Sequence, residues 1–272
     1  ALSPIRLDLI EKHGPAWTQP ANLAVIGAYK IIERAPDFKT KLDPNPQFKE
    51  AGVYPLPIEI EIVDSDLTAQ NLFESGRFDL VIGVSALASK KAQSLSKDKV
   101  ERVVAAMFNH AKKPFDDLRV RKAFALTTSA SLLTKAIGAG RSPAPGWIAS
   151  RLRAGEPPII AQPDIAKARR LMSEAGYPRG RDFPKAKLIF TSRDDNRMIA
   201  EVLQGQWKEA LGVSIELEGR DLQSYLMALE SKSFSLSIFS WNAGFPDALN
   251  FLEVFSSQNR FGSLVGSKEY DR

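Results

Sequence analysis

The stretch from Val213 to Ile238 constrains the fold most tightly, because its hydrophobic period changes from two to about 3.6 and back again. Val213-Ser214-Ile215-Glu216-Leu217 alternates as a strand. Asp221 stands where a helix N-cap belongs, and Leu222, Tyr225, Leu226 and Leu229 share one helical stripe. Phe234-Ser235-Leu236-Ser237-Ile238 then returns to strand alternation. A similar order occurs earlier. Ile58 to Val63 alternates, Asp66 is the expected cap of a helix over Leu67 to Glu74 closed by Gly76, and Phe78 to Ile82 reads as a strand. "DLTAQNLFESGRFDLVI" (66–82) and "DLQSYLMALESKSFSLSI" (221–238) share Asp-Leu, Glu-Ser and Phe. Duplication and the common needs of any strand–helix–strand unit explain this equally well, and either places one unit in each half. Two α/β lobes are expected.

Between the halves, "KKPFDDLRVRKAFALTTSASLLTKAIG" has a Pro signal, Asp116 or Asp117 as cap, and a broad helical face of Val120, Ala123, Phe124, Ala130, Leu133 and Ile137. A long loop follows from Gly138 to Pro158. Pro163-Asp164 opens a helix stopped by Gly176, "KLIF" (187–190) is a strand, and Met198 to Leu211 is a helix ended by Gly212. Alternating strands and helices predict an α/β sandwich with parallel pairing at least in part.

Chemistry is constrained mainly by exclusion. With 44% hydrophobic and 25% charged residues, the 272-residue chain has a globular balance, and no apolar run approaches the roughly 18–20 residues of a membrane span. Zero cysteines remove disulfides, thiolate zinc sites and cysteine nucleophiles, leaving cytoplasm and periplasm both open. The net charge of +5 is dispersed, with runs no longer than a pair or triplet such as Lys90-Lys91, which favours a solvated surface over a nucleic-acid stripe. His13 and His110 lack partners at metal-ligand spacing. Asp116-Asp117 and Asp194-Asp195 read as helix-start acids rather than a catalytic couple. "AIGAGRSPAPG" follows a helix and lacks a P-loop Lys-Ser/Thr, and no Gly-x-Ser-x-Gly elbow occurs. Nothing argues for an enzyme. The opening Ala-Leu-Ser-Pro-Ile-Arg has no export pattern, and Gly266 to Asp271 reads as a turn entering a new helix, as expected of a piece of a longer polypeptide.

Trp241 stands apart. It falls at the carboxyl end of the last strand, where open α/β sheets place ligand crevices, with Phe234, Leu236 and Ile238 expected on one face and Phe239 and Trp241 alternating differently. Periodicity weighs core edge and ligand contact equally.

Six segments, in order, carry a resemblance: "EKHGPAWTQPANLAVIGAYKI" (11–31), "FESGRFDLV" (73–81), "FNHAKKPFDDLRVRKAFAL" (108–126), "DIAKARRLMSEAGYP" (164–178), "IAEVLQGQWKEALGVSIELE" (199–218) and "FSWNAGFPDALNFLEVF" (239–255). Together they resemble the extracellular solute-binding proteins of ABC importers, oligopeptide, dipeptide and nickel class (family 5). The resemblance implies an α/β, periplasmic binding protein type II-like fold: two lobes with mixed sheets flanked by helices, residues 1–104 belonging to the first lobe and 105–272 to most of the second. It implies a monomer that captures a peptide or peptide-like solute noncovalently, by closure of the lobes, for the membrane permease subunits. No catalysis, cofactor, metal or nucleic acid is implied, and the location is periplasmic or extracellular, reached by an export signal outside this stretch. An alternative is a sensing or protein-interaction module on the same fold.

The expected ligand-binding residues are Trp241, Asn242, Ala243, Gly244, Met107, Thr191, Asn196, Leu222 and Ile238, with Leu229 a further family position and Arg193 and Arg220 further polar candidates. Backbone groups of Asn242 to Gly244 are expected to hydrogen-bond an extended ligand. Where peptide binders have an Asp three residues after the Trp, this chain has Gly244; Asp247 is the nearby substitute, or a helix cap. A peptide ammonium buried without that counter-charge would lose several kcal/mol. With one lobe incomplete, these 272 residues are expected to bind ligand weakly or not at all.

Overall fold

The computed structural model describes residues 5–36, 38–49, 56–83, 101–138, 141–144, 146–153 and 163–257. Lys90-Lys91, parts of the 138–158 loop and the reading of Gly266 to Asp271 lie outside the described residues. The chain divides into two compact units, Ala1–Arg77 and Phe78–Arg272.

In the first unit, α1 (Leu7–His13) and a 3-10 turn (Gly14–Thr18) precede an antiparallel sheet in the order β1 (Tyr29–Ala35), β2 (Lys39–Pro44), β3 (Ile58–Glu61). Opposite charges face each other across it: Lys41 pairs with Glu33 at 2.8 Å, and Lys39 pairs with Glu59. The expected strand at 58–63 forms, but Ile58 and Ile60 stay 39% and 46% exposed rather than half-buried on one face. α2 (Asp66–Glu74) is capped by Ser65, whose Oγ accepts from Thr68 N at 3.3 Å; the expected cap, Asp66, is the first helical residue. The expected strand at Phe78–Ile82 does not form. Leu80 and Ile82, at the start of the second unit, are 72% and 87% exposed, and no strand among the described residues pairs with this run. The first half of the apparent repeat is therefore not a strand–helix–strand unit.

The second unit holds a four-stranded mixed sheet in the order β4 (Arg102–Phe108), β7 (Leu236–Asn242), β5 (Ala186–Thr191), β6 (Ile215–Arg220). β5 runs parallel to β6 and β7, whereas β4 is antiparallel to β7. A boundary between residues 104 and 105 would cut β4, all seven of whose residues are in register with β7; the compact units divide instead after Arg77. The single broad helical face of the central segment is two helices, α3 (Leu118–Leu126) and α4 (Ala130–Ile137). Thr127 Oγ1 donates to the carbonyls of Ala123 and Phe124 at 3.1 and 3.0 Å, and Ser129 caps α4, so the chain re-aims between them. Asp117, not Asp116, caps α3, accepting from Arg119 N at 2.8 Å.

Helices α3, α5 (Ile165–Glu174) and α6 (Asp194–Leu211) cover one face of the sheet, over Leu188, Phe190, Leu236 and Ile238. Trp207 is fully buried there, its ring 5.0 Å from Phe124 and its Nε1 donating to Thr128 Oγ1 at 3.2 Å. Truncating such a side chain costs about 3–5 kcal/mol. α7 (Leu222–Glu230), capped by Asp221 through Ser224 N at 2.8 Å, covers the other face with Tyr225, Ala228 and Leu229 against Ile189 and Phe239. Phe234 lies just before β7 and joins this second cluster, not the face of Leu236 and Ile238 as alternation suggested. Tyr225 Oη lies 2.8 Å from Ser237 Oγ and donates to the Ile238 carbonyl at 2.8 Å. Burial pushes its proton affinity up to about 12, the Ser237 hydrogen bond opposing the rise.

Candidate functional site

Because β5, β6 and β7 run the same way, their last residues, Thr191, Arg220 and Asn242, lie on one edge of the second sheet. β4 runs oppositely, so its first residue, Arg102, stands level with Asn242. Open α/β sheets bind ligands at this carboxyl edge.

An aromatic wall rises from it. Trp241 is half-buried, and its ring stacks near Phe239 at 6.3 Å and 20°; Phe239 in turn stacks on Trp147 at 5.7 Å and 21°. The indole is fixed by its Nε1, which donates to Asn250 O at 2.9 Å and Oδ1 at 3.2 Å. Asn250 Oδ1 also accepts from Gly244 N at 3.1 Å, drawing the loop closed. Ala243 N donates to the Glu101 carbonyl at 2.8 Å. The N–H groups of Ala243 and Gly244, expected to meet an extended ligand, are thus taken within the protein. Asp247, the nearby acid, has its Oδ1 accepting from Leu249 N at 2.8 Å at the start of α8 (Leu249–Leu252), a neutral donor that leaves the carboxylate's charge in place.

The other expected ligand residues separate. Thr191 lies on Trp241's face of the sheet, by alternation from the buried Phe190, and Asn196 Nδ2 donates to its Oγ1 at 2.6 Å. Leu222 opens α7 at the same edge and is 63% exposed. Met107 shares the face but pairs with Ser237, four residues along the strand from the partner of Trp241, roughly 13 Å away. Ile238 is a correction: only 3% exposed, it faces the helices of the opposite core and packs there. Leu229 is likewise core, 1% exposed beneath α7. Arg220 Nε donates to Glu218 at 2.7 Å, and Lys187 meets the same carboxylate at 3.1 Å, holding Glu218 below the usual carboxylate range, Lys187 first and Arg220 second.

Three arginines that periodicity could not connect also gather at this edge. Arg102 Nη2 donates to Ser240 Oγ at 3.2 Å, Arg193 Nη2 donates to the Gly83 carbonyl at 3.2 Å, and Arg141 pairs with Asp195 in the first turn of α6. Asp195 is thus the expected helix-start acid and also an ion-pair partner. Its Oδ1 is buried without a hydrogen bond. Arg102 is held below the ordinary arginine range by desolvation, then by the charges of Arg141 and Arg193, with Asp195 offsetting only part.

An aromatic wall, a polar edge and three arginines thus meet at the carboxyl edge of the mixed sheet. The chain belongs to the bacterial extracellular solute-binding proteins, family 5 (middle), whose family model matches residues 2–263. Among curated relatives, the probable deoxycholate-binding periplasmic protein YgiS of Escherichia coli K12 is 27% identical, covering 95% of this chain and 50% of the relative. The periplasmic murein peptide-binding protein MppA of the same strain is 26% identical, over 100% of this chain and 53% of the relative. The chain spans about half the length of the curated relatives it matches. The solved structure of the E. coli murein tripeptide binding protein MppA superposes with a TM-score of 0.86 at 25% identity, covering 98% of this chain and 55% of that one. The OppAIV oligopeptide-binding protein of Borrelia burgdorferi gives 0.87 at 24% identity, over 97% and 54%, which supports the fold alone.

Proposed function

We propose that the chain is part of the substrate-binding component of an ABC importer. It captures a peptide or peptide-like solute noncovalently and delivers it to the membrane permease subunits, acting as a monomer at the periplasmic or extracellular face and without catalysis. On this reading the second unit is most of one lobe and the first unit belongs to the other. Family membership supports it, as do the names of relatives described as binding murein peptides, oligopeptides and dipeptides.

The observation that carries the proposal is Trp241, braced by Asn250 and stacked near Phe239 at the carboxyl edge, a flat apolar wall of the kind that binds small ligands. Asn242, Thr191, Asn196 and Leu222 supply the neighbouring edge; the N–H groups of Ala243 and Gly244 brace the loop. Since Gly244 brings no carboxylate and Asp247 Oδ1 already accepts from Leu249 N, a ligand's free ammonium gains little in this loop on this reading.

Calorimetry on the full-length polypeptide with trialanine and N-acetyl-trialanine tests this. The acetylated probe is expected to bind at least as well as the free peptide, and Trp241→Ala to weaken both about tenfold or more. Unchanged binding by the Trp241→Ala protein would return Trp241 to a purely packing role. A second reading, that the solute is an amphipathic acid, is favoured by the likeness to YgiS; deoxycholate in place of the peptides distinguishes it. Binding of neither class, together with capture of one defined protein partner, would favour a sensing or interaction module.

A further inference from the structure

We propose that Arg102 and Arg193, beside the Arg141–Asp195 pair, form an anion site that takes a carboxylate or comparable oxyanion carried by the bound solute. This deepens, and rests on, the reading that solute binds at the carboxyl edge. Arg102 donates to the Ser240 hydroxyl and Arg193 to the Gly83 carbonyl, and neutral acceptors leave a guanidinium's charge in place. Arg141 is matched by Asp195. Glu101, next to Arg102 in sequence, is directed to Arg151 at 3.4 Å. Among the described side chains, one carboxylate therefore serves three guanidiniums. The amino end of α6 adds positive potential in the same place, and its N-cap residue, Arg193, offers it no side-chain acceptor. Arginine's planar fork suits a two-oxygen anion. Arg102 and Ser240 lie on the α6 face of the sheet and Trp241 and Phe239 on the other, so a solute with an acidic end and an apolar body would satisfy both only by passing over the carboxyl edge.

The test compares N-acetyl-trialanine with its C-terminal amide, which differ only in the charge at one end, against the full-length protein and its R102Q/R193Q variant. The acid is expected to bind roughly tenfold more tightly than the amide to the unaltered protein, with the preference lost in the variant. A preference that survives the double substitution, or none in the unaltered protein, overturns the proposal. If neither peptide binds, the solute reading fails for peptides and inorganic sulfate decides the anion site. At matched ionic strength, sulfate rather than chloride should raise the melting temperature of the unaltered protein but not of the variant; an equal response of both proteins overturns the site. Arg102→Gln alone should also melt above the unaltered protein at low salt and lose that advantage at high salt, because like-charge repulsion is relieved. A variant that melts no higher at low salt refutes the surplus of charge.

Discussion

Gly212→Ala should be among the most damaging single-methyl additions in the second unit, and the structure says by how much. Gly212 ends α6 with φ +73°, and a Cβ there would lie 2.4 Å from the Arg179 carbonyl oxygen and 3.0 Å from its carbon. Facing it, Gly180 also has φ +73°, and its Cβ would sit 2.4 Å from the Gly212 oxygen. Two backbone turns thus meet glycine against glycine. Holding alanine at positive φ costs about 1 kcal/mol. Ordinary carbon contacts need about 3.5 Å, so the turns must part by roughly 1 Å, and backbone cannot rotate aside as a side chain would. Overpacking of that kind adds about 1–3 kcal/mol, for a total near 3. Gly176→Ala is the internal control: φ is +94°, but nothing lies within 4 Å of the added Cβ, so only the backbone term of about 1 kcal/mol applies. The assay is guanidinium unfolding followed by tryptophan fluorescence, since Trp147, Trp207 and Trp241 all lie in the second unit. The extra 2 kcal/mol should lower the midpoint by about 0.5 M relative to the control. Equal midpoints for Gly212→Ala and Gly176→Ala would show that the close approach is not obligatory.

Other outcomes follow from buried polar groups. Asn109, 2% exposed, donates to the carbonyls of Lys232 and Phe234 at 3.0 and 2.9 Å and accepts from Ala111 N at 3.1 Å; Asn109→Ala orphans all three and should cost about 3 kcal/mol in the same unfolding assay, a loss below 1 contradicting the account. For Tyr225, folding raises the phenol from 10.0 to about 12, so the folded state holds its proton more tightly. That stabilisation, roughly 2–3 kcal/mol, is complete below pH 10 and lost as pH rises from 10 to 12. Tyr225→Phe should flatten this alkaline decline, and an unaltered slope of stability against pH would assign the decline elsewhere. Ser129→Ala should remove the α4 cap, in which Oγ accepts from Leu132 N at 3.3 Å, and cost about 1 kcal/mol of chemical stability; no loss would mean the cap bond is idle.

The sequence made the stretch from Val213 to Ile238 far more legible than the start of the second unit, for a physical reason. From Val213 to Ile238 the period, the Asp221 cap and the apolar stripe agree with one another, and β6, α7 and β7 form where expected. At Phe78 to Ile82 an equally apolar run forms no strand, because periodicity records what a segment could bury and not whether a neighbour is there to pair with it. The central helix failed similarly: its apolar face was real, but Thr127 and Thr128 both donate to the Phe124 carbonyl and divert the chain. Ile238 shows the limit for sites. Family position suggested a ligand contact, yet strand alternation from Leu236, already apparent in the residues, puts it in the opposite core.

At the candidate site the local signal was Trp241, while its support came from a distance. Asn250 lies nine residues away with no periodic relation to the indole it braces, and Arg102, Arg141, Arg193 and Asp195 come from a strand, a loop and a helix start that only folding brings together. That distribution changes what Gly244 means. A carboxylate at that position would face a loop whose N–H groups already have partners, and Asn250 serves those groups without introducing charge. The charge of the loop is that of Asp247, three residues beyond Gly244, and the surplus of positive charge at this edge belongs to arginines. If the solute binds there, selection rests on its acid rather than its amine, so blocking a peptide's amino group should matter less to affinity than amidating its carboxyl group.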